Sequence, residues 1–117
     1  MPGGIAPELV VRPGGAVADK DLPRAAIVIL NLNGKHHLAG CFDSLRALDY
    51  PEKKLEVVLV DNASADGSVE EMRAKHGWVK LIVNAQNVGF SAGCNQGARA
   101  AQTPEVLVFL NLSLIHI

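Results

Sequence analysis

The chain has 117 residues, 49% of them hydrophobic and 20% charged, the make-up of one small globular domain rather than a disordered or fibrous chain. A formal net charge of −1 and an aromatic content of 4% exclude a broad basic field for nucleic acid or an anionic membrane, and a stacking platform for single strands. Two cysteines, Cys41 and Cys94, make no disulfide framework; on the apolar faces of helix-like segments they act as small hydrophobes, as expected in a reducing, cytoplasmic compartment.

Residues 1–24 are rich in Pro, Gly and Ala, with breaks at Pro13, Gly14, Gly15 and Pro23, and read as a flexible arm. Met1-Pro-Gly-Gly-Ile-Ala-Pro does not resemble the start of a secretory signal, and no window approaches the roughly 18 apolar residues of a membrane helix. The domain is expected over residues 25–111. Residues 26–30 form an apolar, β-branched run, the pattern of a strand covered on both faces. Asn33-Gly34 breaks it. Leu38, Cys41, Phe42, Leu45 and Leu48 then recur at helical spacing, with Lys35, Asp43 and Arg46 on the other side, until Tyr50-Pro51 stops the helix.

Residues 55–60 predict a second buried strand. The following helix carries Ser68 and Glu71 at capping-box spacing, then Val69 and Met72, and ends at His76-Gly77. Residues 78–83 predict a third strand, 90–101 a third helix rich in small residues, and 105–110 a fourth strand. Strand and helix alternate at short intervals, which implies right-handed crossovers and a mainly parallel sheet flanked by helices. The expected class is therefore α/β and Rossmann-like.

Three strand-to-helix segments, residues 26–34, 58–68 and 84–95, place polar residues on one rim of that sheet. In open α/β sheets, ligands bind beyond the carboxyl ends of the strands. Asp61 ends the second strand, where it can accept N–H donors from a base or hydroxyls from a ribose. The alternative is that Asp61 and Asn62 satisfy backbone amides of the turn; three rim segments together favour the ligand role. Gly89, Gly93 and Gly97 recur every fourth residue, a face that can press on the sheet or admit a phosphate near the helix N-terminus. Leu32-Asn-Gly-Lys35 supplies only one glycine, so neither the dinucleotide fingerprint nor a P-loop is present. Asn95 binds ligand or faces solvent. His36, His37 and His76 read as surface residues flanking helix ends, and no Ser/His/Asp set, paired carboxylates or Cys/His metal cluster is evident.

Ile27-Val-Ile-Leu-Asn-Leu-Asn-Gly34, Val60-Asp-Asn-Ala-Ser-Ala-Asp-Gly-Ser68, Asn87-Val-Gly-Phe-Ser-Ala-Gly-Cys-Asn95 and Val106-Leu-Val-Phe-Leu-Asn111 together resemble the N-terminal half of family 2 glycosyltransferases, which have the GT-A fold. The likeness is greatest to the rhamnosyltransferase-like branch, active in polysaccharide and cell-wall synthesis. It implies transfer of a sugar from a nucleotide-diphosphate sugar to the hydroxyl of a glycan or lipid-linked acceptor. It also implies that Asp61 bonds the base, that Leu32, Asn33 and Asn62 shape the base pocket, and that Asn87, Gly89, Gly93 and Asn95 lie near the ribose and diphosphate. Many relatives carry an aromatic residue at the position of Leu32, so stacking on the base is expected to be weak here.

The same resemblance implies a divalent metal, Mg or Mn, that neutralises the leaving diphosphate. Its Asp-x-Asp or Asn-Pro-Asp motif is expected just after Asn111, where this chain has Leu-Ser-Leu-Ile-His-Ile. Residues 112–117 read as a non-native tail, similar to a translated sequencing adapter. The metal motif, the acceptor half and the catalytic base are then absent, and no turnover is expected. Ending at the fourth strand would also expose an apolar sheet edge. Two rival readings are a non-catalytic nucleotide-binding module and a sugar-nucleotide pyrophosphorylase-like enzyme, the latter lacking its glycine-rich basic loop.

Overall fold

The structure, a computed structural model, describes residues 21–102 and 104–112. Strand β1 (Ala25–Asn31) leads into helix α1 (Lys35–Arg46), a 3-10 turn (Glu52–Lys54) and β2 (Leu55–Asp61). Then come α2 (Ser68–Lys75), β3 (Lys80–Val83), α3 (Phe90–Ala100) and β4 (Val106–Asn111). The strands form one parallel sheet in the order β3-β2-β1-β4. All seven residues of β1 are buried, because it has a strand on either side and helices above and below. That accounts for its unbroken apolar run.

The sheet's two faces carry separate cores. On one, Ile27, Ile29, Val57 and Leu59 pack against Leu38, Cys41, Phe42 and Leu45 of α1 and Met72 of α2. On the other, Val28, Leu30, Val58 and Val60 meet Cys94 of α3. Helix α3 lies close to the sheet because Gly93 and Gly97 have no side chains. A Cβ on Gly93 would stand 2.8 Å from Leu30 Cδ1, and one on Gly97 would overlap Val28 Cγ1. In β4, Leu107 and Phe109 pair in register with Ala26 and Val28, yet remain 40% and 42% exposed.

Several expectations are corrected. Leu22, Pro23 and Arg24 belong to the body and not to an arm: Leu22 is buried, the Pro23 carbonyl accepts from Tyr50, and Arg24 N–H donates to Glu105 at 3.0 Å. Residues 1–20, which held the rest of the expected arm, lie outside the described residues. The capping box does not form, since Ser68 is already the first helical residue and Gly67 the N-cap; Asp66 accepts from Ser68 N–H instead, at 3.0 Å. Trp78 and Val79 fall in the turn before β3, held by the Val79 N–H to His76 carbonyl bond at 3.1 Å.

His76 is buried, not a surface residue. Its ring lies 4.7 Å from that of Phe42, centroid to centroid, because the end of α2 turns inward onto α1. Burial first, with help from Arg46 and Lys75 against Glu71 and Asp43, holds its pKa below the ordinary 6.5. Leu112, expected to begin the tail, is buried in the α1/α2 core, and its N–H donates to Leu30 O at 2.7 Å. Residues 113–117 lie outside the described residues.

Candidate functional site at the carboxyl rim of the sheet

Strands β1 and β2 end on Asn31 and Asp61, which pair in register. Both side chains are buried, 0% and 1% exposed, so they need internal partners. Asn31 Nδ2 donates to Asp61 Oδ1 at 2.8 Å. Ser64 Oγ donates to the same oxygen at 2.7 Å, while Ser64 N–H donates to Oδ2 at 2.9 Å. The serine oxygen in turn accepts from Asn33 N–H at 2.9 Å and Asn31 Nδ2 at 3.2 Å. One hydroxyl thus uses its donor and both acceptor sites, and it ties the β1–α1 loop to the β2–α2 loop.

A second tie reinforces the first. Asn33 Oδ1 accepts from Ala65 N–H at 2.8 Å. Asp66 accepts from Lys35 N–H at 3.0 Å as well as from Ser68, so one carboxylate serves the N-termini of α1 and α2. Burial works against its charge, but the bonds from the Ser68 hydroxyl and from the Lys35 and Ser68 amides prevail and hold its pKa below 3.8. Between these ties Asn33 and Ala63 are left-handed, at φ 55° and 67°. Asn tolerates that conformation; for Ala it costs about 1–2 kcal/mol, a strain the surrounding bonds impose.

Amides hold the other half of the rim. Asn84 Nδ2 donates to Asn62 Oδ1 at 2.9 Å and to Gln96 Oε1 at 2.8 Å, and Gln96 Nε2 returns a bond to Asn84 Oδ1 at 2.9 Å. Asn62 Nδ2 donates to Gly89 O at 3.3 Å. The ends of β2 and β3 are thereby fastened to the start of α3. Gly89, at φ 89° and ψ 173°, is the N-cap, in a region essentially confined to glycine. Its N–H donates to Asn87 Oδ1 at 2.8 Å.

The three helix starts differ in one respect. Asp66 accepts one main-chain N–H at the start of each of α1 and α2, those of Lys35 and Ser68, whereas α3 has no such acceptor and no acidic residue in its first turn. Among the described residues, no side chain takes the N–H groups of Phe90, Ser91 and Ala92. Free N–H groups and the positive end of a helix dipole favour negative charge.

The expected site residues fall into two groups. Asp61 and Asn62 are buried in the networks, and the carboxylate of Asp61 already holds three donors. Leu32 and Asn33 are half-buried, Asn87 and Gly89 are exposed, and Gly93 packs against Leu30 and Asn62. Asn95 is exposed on α3, whose buried residues are Gly93, Cys94 and Gly97. Sequence reasoning missed Asn31, Ser64, Asp66, Asn84 and Gln96. The available signal was an Asn at the end of an apolar strand, matching Asp61 at the end of the next.

Among the described residues, no three His, Cys, Asp or Glu side chains gather to hold a metal ion. Both cysteines are free and buried. Burial pushes the Cys41 thiol up to about 12 and raises that of Cys94, the opposite of the lowering that activates a cysteine.

An open parallel sheet between helices, with its polar loops on the carboxyl rim, defines an α/β domain of the GT-A type. The chain belongs to glycosyl transferase family 2, whose model matches residues 26–112. It is 27% identical over 93 residues to the glycosyltransferase AglE of Haloferax volcanii, covering 77% of this chain and 30% of that protein. Among solved structures it resembles the mannosyltransferase PcManGT from Pyrobaculum calidifontis in complex with GDP-Man and Mn2+, with a TM-score of 0.66 and 28% identity, over 87% of this chain and 31% of the other. TarS of S. aureus in complex with UDP-GlcNAc matches with a TM-score of 0.65 and 22% identity, over 76% of this chain and 26% of that one. The chain thus spans about a third or less of these relatives' length. Among the described residues, no helix is long and apolar enough to cross a membrane.

Proposed function

We propose that this chain is the nucleotide-binding half of a glycosyltransferase that uses a nucleotide-diphosphate sugar. The observation that carries this reading is the N-terminus of α3, whose first N–H groups no described side chain takes, fastened to the rim by the Asn62 to Gly89 bond. The diphosphate is received at Phe90, Ser91 and Ala92. The nucleoside lies across Leu32, Asn33 and Asn87, with Asp61 and Asn62 as the framework that fixes these loops. Asp61 meets the base only if the Ser64 turn yields one of its three bonds.

In the complete reaction, an acceptor hydroxyl attacks the anomeric carbon and the nucleoside diphosphate leaves. Relatives with GDP-Man and UDP-GlcNAc in their structures support this donor class, and the sequence likeness to rhamnosyltransferases supports a glycan or lipid-linked acceptor in polysaccharide or cell-wall synthesis. The buried free thiols suit a cytoplasmic setting.

Calorimetric titration of the full chain with UDP and with GDP tests the reading. Binding by either nucleotide, lost in Asp61→Ala while circular dichroism stays native, supports it. Failure of both nucleotides to bind sinks the function, and undiminished binding by Asp61→Ala sinks the site assignment.

A further inference from the structure

At the opposite end of the sheet, away from the carboxyl rim, lies a cleft of about 430 Å³, within the range of small-molecule sites. Its walls carry four cations, Arg24, Lys53, Lys54 and Lys80, and one carboxylate, Glu56, beside the indole of Trp78. In a chain of net charge −1, that is a local concentration of positive charge. Glu56 is engaged by Gln102 N–H at 2.8 Å.

Three of the cations are held in place by main-chain carbonyls. Arg24 Nη2 donates to Gln102 O at 2.6 Å, Lys54 Nζ to Leu22 O at 2.8 Å, and Lys80 Nζ to Ala100 O at 2.8 Å. The carbonyl orients the Lys80 ammonium without cancelling its charge. The Lys80 bond also serves the C-terminus of α3, but a helix end amounts to about half a charge, far less than the cations present. An ammonium has three donors, so Lys80 keeps two for an occupant. Lys53 is exposed at the mouth.

We propose that this cleft binds a phosphate-bearing ligand, separately from the nucleotide rim, with Lys53 and Lys80 as direct donors and Trp78 as its wall. The phosphate belongs either to a free anion or to a lipid headgroup. Trp78 is the chain's single tryptophan, so its fluorescence reports this end of the molecule.

The full chain is titrated with inorganic pyrophosphate at constant ionic strength, and separately with vesicles of phosphatidylglycerol or of phosphatidylcholine. A saturable Trp78 signal with pyrophosphate, weakened roughly tenfold in Lys53→Ala and further in Lys53→Glu, supports a free-anion site. A response to phosphatidylglycerol vesicles alone, weakened by the same variants, supports the headgroup source. Lys53 is exposed and outside the core, so these variants stay folded; Asp61→Asn should leave the signal unchanged. A signal absent with both probes, reproduced by chloride, or indifferent to Lys53 overturns the proposal.

Discussion

The two faces of the sheet are built on different principles. On the α1/α2 face, large side chains from two helices pack with those of the strands, and the Phe42 ring of this core lies against the rings of His76 and Trp78. On the α3 face, one helix approaches through glycines and its backbone lies almost on Val28 and Leu30. The first face owes its stability to buried volume, the second to the absence of volume. The second is also incomplete, because α3 leaves Leu107 and Phe109 of β4 uncovered and, among the described residues, β4 has no strand on its outer side. That same close approach brings the start of α3 to the rim, so the thinner face carries the end proposed to bind the diphosphate.

The largest effect that would test this contrast is Phe42→Ala, expected to destabilise the chain by about 4 kcal/mol in denaturant unfolding. A loss below about 1 kcal/mol would mean that the α1/α2 face does not rest on this ring. Next is Gly97→Ala, where the new methyl meets a fully buried Val28 and overpacking costs about 1–3 kcal/mol. Both changes gain about 1 kcal/mol of helix propensity, but Gly93→Ala meets only the terminal methyl of a leucine, so it should be nearly neutral and Gly97→Ala the costlier of the two. Equal costs at the two glycines would contradict the contact geometry.

A smaller effect comes from His76, whose Nε2 is buried without a partner. Its folded pKa lies below the unfolded value of 6.5, so the unfolded state takes up the proton first as pH falls. The stability it preserves is complete above about pH 6.5 and declines below it. Melting temperatures from pH 7.5 to 5.5 should fall more steeply in the native chain than in His76→Gln; parallel profiles would dismiss the assignment. The smallest change in stability belongs to Phe109→Thr on the open face, within about 0.5 kcal/mol. Its effect should appear in light scattering instead, as a higher concentration at the onset of association, since exposed apolar edges pair with other chains.

Much of this architecture was legible in the chain. The apolar β-branched runs and the periodicity of Leu38, Cys41, Phe42 and Leu45 named the elements because burial on two faces or one leaves a direct mark on composition. Of the glycines spaced at 89, 93 and 97, the last two make the close helix–sheet contact, while Gly89 is the exposed N-cap with nothing near its Cβ position. Less legible were residues whose meaning depends on a partner distant in sequence. His76 read as a surface residue because nothing local reveals that α2 ends against Phe42. Ser68 and Glu71 matched a capping box, but Asp66, already bound to α1 through Lys35, displaced it.

The sequence alone determined the parallel α/β class, the rim on which polar loops gather, and the family. Those are properties of local pattern, and hydrophobic periodicity and turn chemistry act over a few residues. Only the tertiary structure decided that Asp61 is enclosed by Asn31 and Ser64, that Asn84 and Gln96 clamp α3, and that Asp66 serves the starts of α1 and α2 but not of α3. Hydrogen bonds across 12 to 33 positions of chain are chosen by which loops the folded sheet brings side by side, and no local preference encodes that choice.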